Sequence, residues 1–154
     1  MNLREGDKAP DFNLQDTRGN IVTLNEFLGK KIVIYFYPKD DTPGCTIEAC
    51  EIRDKYSIFK ETNVVVLGVS ADDIESHKNF TDKFSLPFPL LADVNKNMCA
   101  DYDVLVDKIV HGHTVKGINR ITFLIDESGI IKKIWNPVEP NGHAEEILNV
   151  ISAN

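Results

Sequence analysis

No apolar run in this sequence approaches 18 residues, so a membrane-spanning helix is not predicted. The opening residues, Met1 to Lys8, also lack the apolar stretch that a signal peptide needs. Cysteine is scarce, with three in 154 residues, and uneven, since Cys45 and Cys50 are close together and Cys99 is far away. That usage excludes a disulfide-stapled secreted scaffold. Nine Gly and seven Pro, beside 42% hydrophobic and 27% charged residues, exclude collagen-like repeats, low-complexity sequence and intrinsic disorder. Positive charge is short as well: 17 basic against 24 acidic residues leave −7, a field that repels nucleic-acid phosphates and anionic membrane surfaces. A soluble cytoplasmic protein is the expectation. Thiols stay free in a reducing cytosol, where a disulfide that does form is transient and catalytic rather than structural.

What is present is a regular alternation of apolar segments and turn residues, with no linker, repeat or biased tract, so residues 1–154 read as one domain. Phe12-Asn13-Leu14 and Ile21-Val22-Thr23-Leu24 flank the turn-rich Asp16-Thr17-Arg18-Gly19-Asn20, which predicts an N-terminal hairpin, with Asn25 capping a short helix after it. Lys31 to Tyr37 and Asn63 to Val69 are continuous, β-branched and apolar, as strands covered on both faces are. Between them, Pro43 to Glu61 is long enough for a helix of about five turns whose apolar stripe is Cys45, Ala49, Ile52, Tyr56 and Phe59. A second helix is predicted from about Asp72 to Phe84, followed by a strand at Leu90-Leu91-Ala92. Arg120 to Ile125 and Ile130 to Trp135 form a hairpin around Asp126-Glu127-Ser128-Gly129, and a helix from about Gly142 to Ile151 closes the chain. This order fits an α/β, thioredoxin-like sandwich, a central mixed β-sheet flanked by helices, with an N-terminal β-hairpin.

Thr42-Pro43-Gly44 makes Thr42 the predicted N-cap of the long helix, Pro43 its first residue and Cys45 part of its first turn. Unpaired N–H groups and the positive end of the helix dipole favour a thiolate there, and the thiolate is the form that attacks. An unperturbed cysteine with a pKa near 8.5 is only about 3% ionised at pH 7. Asp40 and Asp41 oppose ionisation if they point inward, so a nearby cation is required.

The segment Tyr37-Pro38-Lys39-Asp40-Asp41-Thr42-Pro43-Gly44-Cys45 resembles the active site of peroxiredoxins, whose pattern is Pro, three residues, Thr, two residues, Cys. Pro38, Thr42 and Cys45 match it. The extension Gly44-Cys45-Thr46-Ile47-Glu48-Ala49-Cys50 is similar to the peroxiredoxin Q group, also called bacterioferritin comigratory protein, and the resemblance runs from Gly6 to His143. It implies an atypical 2-Cys thiol peroxidase that reduces hydrogen peroxide and organic hydroperoxides in antioxidant defence. Cys45 would be the peroxidatic nucleophile, becoming a sulfenic acid. Thr42 would hold the peroxide, and Pro38 would keep the pocket dry. Arg120, in Arg120-Ile121-Thr122-Phe123, matches the family arginine and would supply the missing cation, with Glu48 as the acid that orients it. The resemblance further implies Cys50 as the resolving cysteine, a thioredoxin or similar dithiol as reductant, a monomer, and neither cofactor nor metal.

In a continuous helix Cys45 and Cys50 differ by about 500° of rotation and about 7.5 Å of rise, which puts their Cα atoms roughly 8.6 Å apart, beyond disulfide reach. A disulfide between them therefore requires the first turns to unwind. Cys99, in Lys96 to Tyr102, reads as core packing in a helix. His111-Gly112-His113 reads as a loop, because two histidines at this spacing without a cysteine or carboxylate cluster make a weak metal signature. His77 and His143 have no local partners that would make a site. Three rival readings are weaker: a thiol-disulfide oxidoreductase would use C-x-x-C, a plant-type iron–sulfur site would need Cys at Arg53, and an interaction module has no use for Pro38, Thr42 and Cys45 in this register.

Overall fold

In the computed structural model, which describes residues 1–153, the chain begins with a hairpin of β1 (Asn13–Gln15) and β2 (Ile21–Thr23). Asp16 closes it by accepting from the backbone N–H groups of Arg18 and Asn20 at 2.9 and 3.0 Å, as a short acidic side chain in a turn does. The 3-10 turn Leu24–Phe27 follows, entered from Thr23 and not capped by Asn25; Glu26 reaches back to accept from the Thr23 N–H at 3.1 Å.

Next come β3 (Lys31–Phe36), α1 (Pro43–Asp54), α2 (Tyr56–Glu61), β4 (Val64–Ser70), α3 (Ile74–Phe84), β5 (Leu90–Ala92) and α4 (Asn97–Asp101). The chain ends with β6 (Leu105–Val110), β7 (His113–Ile118), β8 (Ile121–Ile125), β9 (Ile131–Trp135) and α5 (His143–Ser152). Five of these strands form one mixed sheet in the order β5-β4-β3-β8-β9, with β3, β4 and β5 parallel and β8 and β9 added antiparallel. This is the thioredoxin-like α/β sandwich that the order of elements predicts.

Strand β3 is central, paired with β4 and β8, and buried on both faces because its alternate residues feed two cores on opposite sides of the sheet. Val33, Tyr35 and the following Tyr37 face Cys45, Ala49 and Ile52 of α1 and Ala144, Ile147 and Ile151 of α5. Ile32, Ile34 and Phe36 face the opposite way, into a core with Met98, Cys99, Tyr102 and Phe123. The sheet thus carries α1 on one face, with the Cys45 end at the C-terminal edge of β3, and Cys99 on the other.

Two further expectations need correction. The predicted long helix is broken at Lys55 (φ −107°, ψ 10°), and α2 sets off afresh so that Phe59 enters the core and Tyr56 meets Phe88 with ring centroids 5.9 Å apart. No glycine or proline marks that break; tertiary packing makes it. The predicted loop at His111-Gly112-His113 is the tip of the β6–β7 hairpin. Val110 pairs with His113, and His111 (φ 51°) and Gly112 (φ 77°) form the two-residue turn. Its strands are largely exposed, so they lack the one-sided burial that makes a strand legible as alternation.

Candidate active site

Helix α1 starts as the sequence predicts, with Thr42 in extended conformation at the N-cap and Pro43 at the first position. The Thr42 hydroxyl makes no cap bond; it donates to the Lys39 carbonyl at 2.8 Å, which leaves its lone pairs free to accept. Cys45 is 1% exposed, packed among Tyr35, Ala49 and Ile52 at the end of the core. Pro38, seven residues upstream of Cys45, is half-buried and leads the loop from β3 into α1.

Arg120 lies 75 residues from Cys45 in the chain, at the entry to β8, and the β3–β8 pairing brings it back. Its guanidinium places Nη2 3.4 Å from Cys45 Sγ and donates from Nη1 to Glu48 Oε1 at 2.8 Å. A planar fork with several donors can make both contacts at once; a lysine could not hold this geometry. Gly44 provides the space, since a Cβ there would sit 3.1 Å from Arg120 Nη2 and 3.5 Å from Pro140 Cγ.

The Glu48 side chain is fully buried, and its Oε2 has no hydrogen-bond partner. Burial pushes its carboxyl up to about 7, with Arg120 acting in the opposite direction. Burial pulls the Arg120 guanidinium down, but Glu48 and Cys45 outweigh it, so that its pKa lies above the ordinary arginine value. The phenolic oxygen of Tyr35 is likewise buried without a partner, and burial, followed by the nearby Glu48, holds its proton on. The pocket floor is therefore poor in compensating polar groups, and the arginine is the cation that the sequence requires.

Asp40 and Asp41 do not crowd the sulfur. Asp41 is exposed and pairs with Lys83 at 2.7 Å. Asp40 is buried and turned toward α3, where it meets Ser76 and His77. His77 is fully buried, a partnership that no local pattern revealed because its partners lie 37 and 14 residues away. His143 is a second buried histidine, held between Thr122 and Glu146 at 2.8 Å each; burial lowers its pKa. All three cysteines are free thiols, with Cys50 half-buried and Cys45 and Cys99 buried. Cys50 is thus near Cys45 in sequence and on the same helix, yet is not bonded to it.

The profile of the AhpC/TSA family matches residues 5–134. The chain belongs to the AhpC/TSA family. It is 44% identical over 151 residues to peroxiredoxin Bcp of Bacillus subtilis, covering 98% of this chain and 96% of that one. Peroxiredoxin Bcp of Escherichia coli is 41% identical over 147 residues, covering 96% and 94%. Among solved structures, a cysteine-to-serine variant of PrxQ from Xylella fastidiosa superposes with a TM-score of 0.93 at 36% identity, covering 99% of this chain and 98% of that one. The bacterioferritin comigratory protein of Xanthomonas campestris superposes with a TM-score of 0.88 at 37% identity, covering 92% and 90%. Within this peroxiredoxin group the Cys45–Arg120–Glu48 cluster is the site to interpret. Among the described residues, no helix is long and apolar enough to cross a membrane.

Proposed function

We propose that the protein is a thiol-dependent peroxidase that reduces hydrogen peroxide and organic hydroperoxides through Cys45, and that Cys50 resolves the oxidised sulfur. The observation that carries the reading is the 3.4 Å approach of Arg120 Nη2 to Cys45 Sγ at a helix start. It sets a fixed positive charge where negative charge must sit before and during attack. The alkyl peroxide reduction activity described for the Xanthomonas campestris relative supports the substrate class.

The Cys45 thiolate attacks one peroxide oxygen in line. An S–O bond forms, the O–O bond breaks, and the other oxygen leaves as hydroxide or alkoxide, which takes a proton from solvent. Thr42, with its hydroxyl hydrogen engaged by Lys39, offers lone pairs to the O–H of the incoming peroxide. Arg120 and the first-turn N–H groups face the charge that develops in the transition state. Glu48 holds the guanidinium by the 2.8 Å bond, and Pro38 keeps water from the sulfur.

Resolution needs movement. Because α1 is continuous from Pro43 to Asp54, Cys50 reaches the sulfenic sulfur only when the first turns unwind. The Cys50 thiolate then displaces hydroxide from the sulfenic acid, forming an S–S bond, and a dithiol of thioredoxin type returns both sulfurs to thiols with two electrons and two protons. We assign the cycle to a monomer in the cytoplasm, a reducing compartment that can regenerate the thiols.

The test is one equivalent of hydrogen peroxide added to the reduced protein, with the product mapped by mass spectrometry. A Cys45–Cys50 disulfide is expected. An unreacted Cys45 would overturn the peroxidase reading, and a persistent sulfenic acid would remove Cys50 from the cycle.

A further inference from the structure

The loop between β3 and α1 is held at one residue. The Asp40 carboxylate accepts from the Tyr37 hydroxyl at 2.6 Å and the Ser76 hydroxyl at 2.8 Å, and its Oδ2 lies 2.7 Å from His77 Nδ1. The Asp40 backbone N–H donates to Asp72 Oδ2 at 2.8 Å, an oxygen that the Ser70 hydroxyl also donates to at 2.7 Å. On its other side His77 Nε2 is 2.9 Å from the Leu91 carbonyl, at the edge of the sheet. A carbonyl can only accept, so Nε2 is the donor to Leu91, and Nδ1 is the atom that faces Asp40 Oδ2. The pair is fully bonded, 0% and 7% exposed, and belongs to no step of the reaction described above. The groups that an ion could gather, Asp40, Asp72 and His77, are already joined through hydrogens or to the backbone.

Asp41 follows immediately in the left-handed region (φ 57°), and its side chain leaves for solvent and Lys83. Downstream of the cysteines the helix is held again, where Glu51 Oε1 accepts from the Gly142 N–H at 2.8 Å and Arg53 Nη1 donates to the Phe84 carbonyl at 2.7 Å. The segment that must open, residues 41–50, therefore lies between two sets of fixed points.

We propose that His77 is a positioning residue for the peroxidase reaction: through Asp40 it pins the chain just upstream of Cys45, and so sets where unwinding of α1 begins. This rests on the roles given above to Cys45 and Cys50. With the pin in place, Pro38 and Thr42 return to one geometry after each turnover, which favours the form that reacts with peroxide. With the pin weakened, the folded pocket is less populated and the opened segment lengthens upstream. Attack on peroxide slows, whereas the approach of Cys50 to the sulfenic sulfur does not.

Rapid-quench mass spectrometry on the full chain separates the two steps, sulfenic acid formation and disulfide formation. In the parent protein a Cys45–Cys50 disulfide must appear; its absence overturns the cysteine roles and this proposal together. Given that disulfide, His77→Gln, which keeps a donor near the Nε2 position facing Leu91 and loses the group at Nδ1 facing Asp40, should oxidise roughly tenfold more slowly at an undiminished rate of disulfide formation. Amide exchange of the disulfide form, protected up to residue 40 in the parent, should spread upstream to Tyr37 in the variant. If His77→Gln does not fold, Ser76→Ala removes one donor to Asp40 from a half-buried position and should shift the ratio of the two rates in the same direction by about two- to threefold. Parental rates in the folded variants, or two rates that fall together with the folded fraction measured by circular dichroism, would overturn the role of His77 and leave the cysteine roles intact.

Discussion

Cys45 and Cys99 are both buried, at 1% and 0% exposure, on opposite faces of the same sheet, yet their surroundings are of opposite sign. Cys45 meets the guanidinium of Arg120. Cys99 meets Asp93, whose carboxylate accepts from the Cys99 N–H at 2.7 Å and the Met98 N–H at 3.2 Å; burial, then Asp93, pushes its thiol up far beyond the ordinary range. Burial alone therefore does not decide whether a cysteine is chemistry or packing. What separates the two sites is the charge beside the sulfur: a guanidinium favours a thiolate, whereas a carboxylate adds to the penalty that burial already imposes.

The sharpest way to break this comparison is to exchange the sulfurs one at a time. Cys45→Ser should lower peroxide consumption by about 1000-fold or more, since a serine hydroxyl is not ionised near neutral pH. Cys99→Ala should leave the rate of peroxide consumption within about twofold while lowering stability by about 1 kcal/mol through a small cavity. Equal losses of rate in the two variants would erase the distinction.

Arg120→Met comes next, because it keeps much of the length and removes the charge. The second-order rate of Cys45 oxidation should fall by about 100-fold, the scale of losing one preorganised electrostatic group. A rate within threefold of the parent would show that the helix start alone suffices.

Glu48 sharpens the comparison through pH. Its carboxyl titrates near 7 in the folded chain, against an ordinary value of 4.5, so between these limits the folded state binds more protons than the unfolded state. Stability from this group is complete below about pH 4.5 and is lost as pH rises through about 7, by roughly 3 kcal/mol at most. Glu48→Gln should flatten that slope in urea unfolding measured from pH 5 to pH 8; an unchanged slope would assign the pH dependence elsewhere. The same residue makes the first turns of α1 the costly part of that helix to keep folded, with one carboxylate oxygen unpaired, and these are the turns that resolution must open.

The smallest effect concerns the second sulfur environment. Asp93→Asn should raise labelling of Cys99 by a thiol reagent at pH 8 by a few-fold, since it removes the carboxylate but not the burial. No rise would mean that burial by itself keeps Cys99 inert.

Much of this was legible along the chain. The alternate residues of Lys31 to Phe36, the start of α1 at Thr42-Pro43, and the stripe Cys45, Ala49 and Ile52 follow from backbone periodicity and capping, which act over a few residues. The β6–β7 hairpin was not legible, since its exposed strands carry no one-sided pattern, and neither was the break at Lys55, where no local breaker stands. His77 carried no signal, because a buried histidine is recognised by its partners and these are distant in sequence.

By itself, then, the sequence determined which residues are close along the chain and which face of an element they share: Pro38, Thr42, Cys45 and Cys50 in one stretch, and one apolar face of α1. The resemblance names Arg120 for Cys45, but which charge comes within reach of each sulfur is settled by the tertiary structure. Arg120 reaches Cys45 across 75 residues because β8 pairs with β3, and Asp93 closes on Cys99 at the end of β5. The reason is one of range: periodicity and capping are set by neighbours in the chain, whereas the sign of the field at a buried atom is set by whatever the packing brings within a few ångströms.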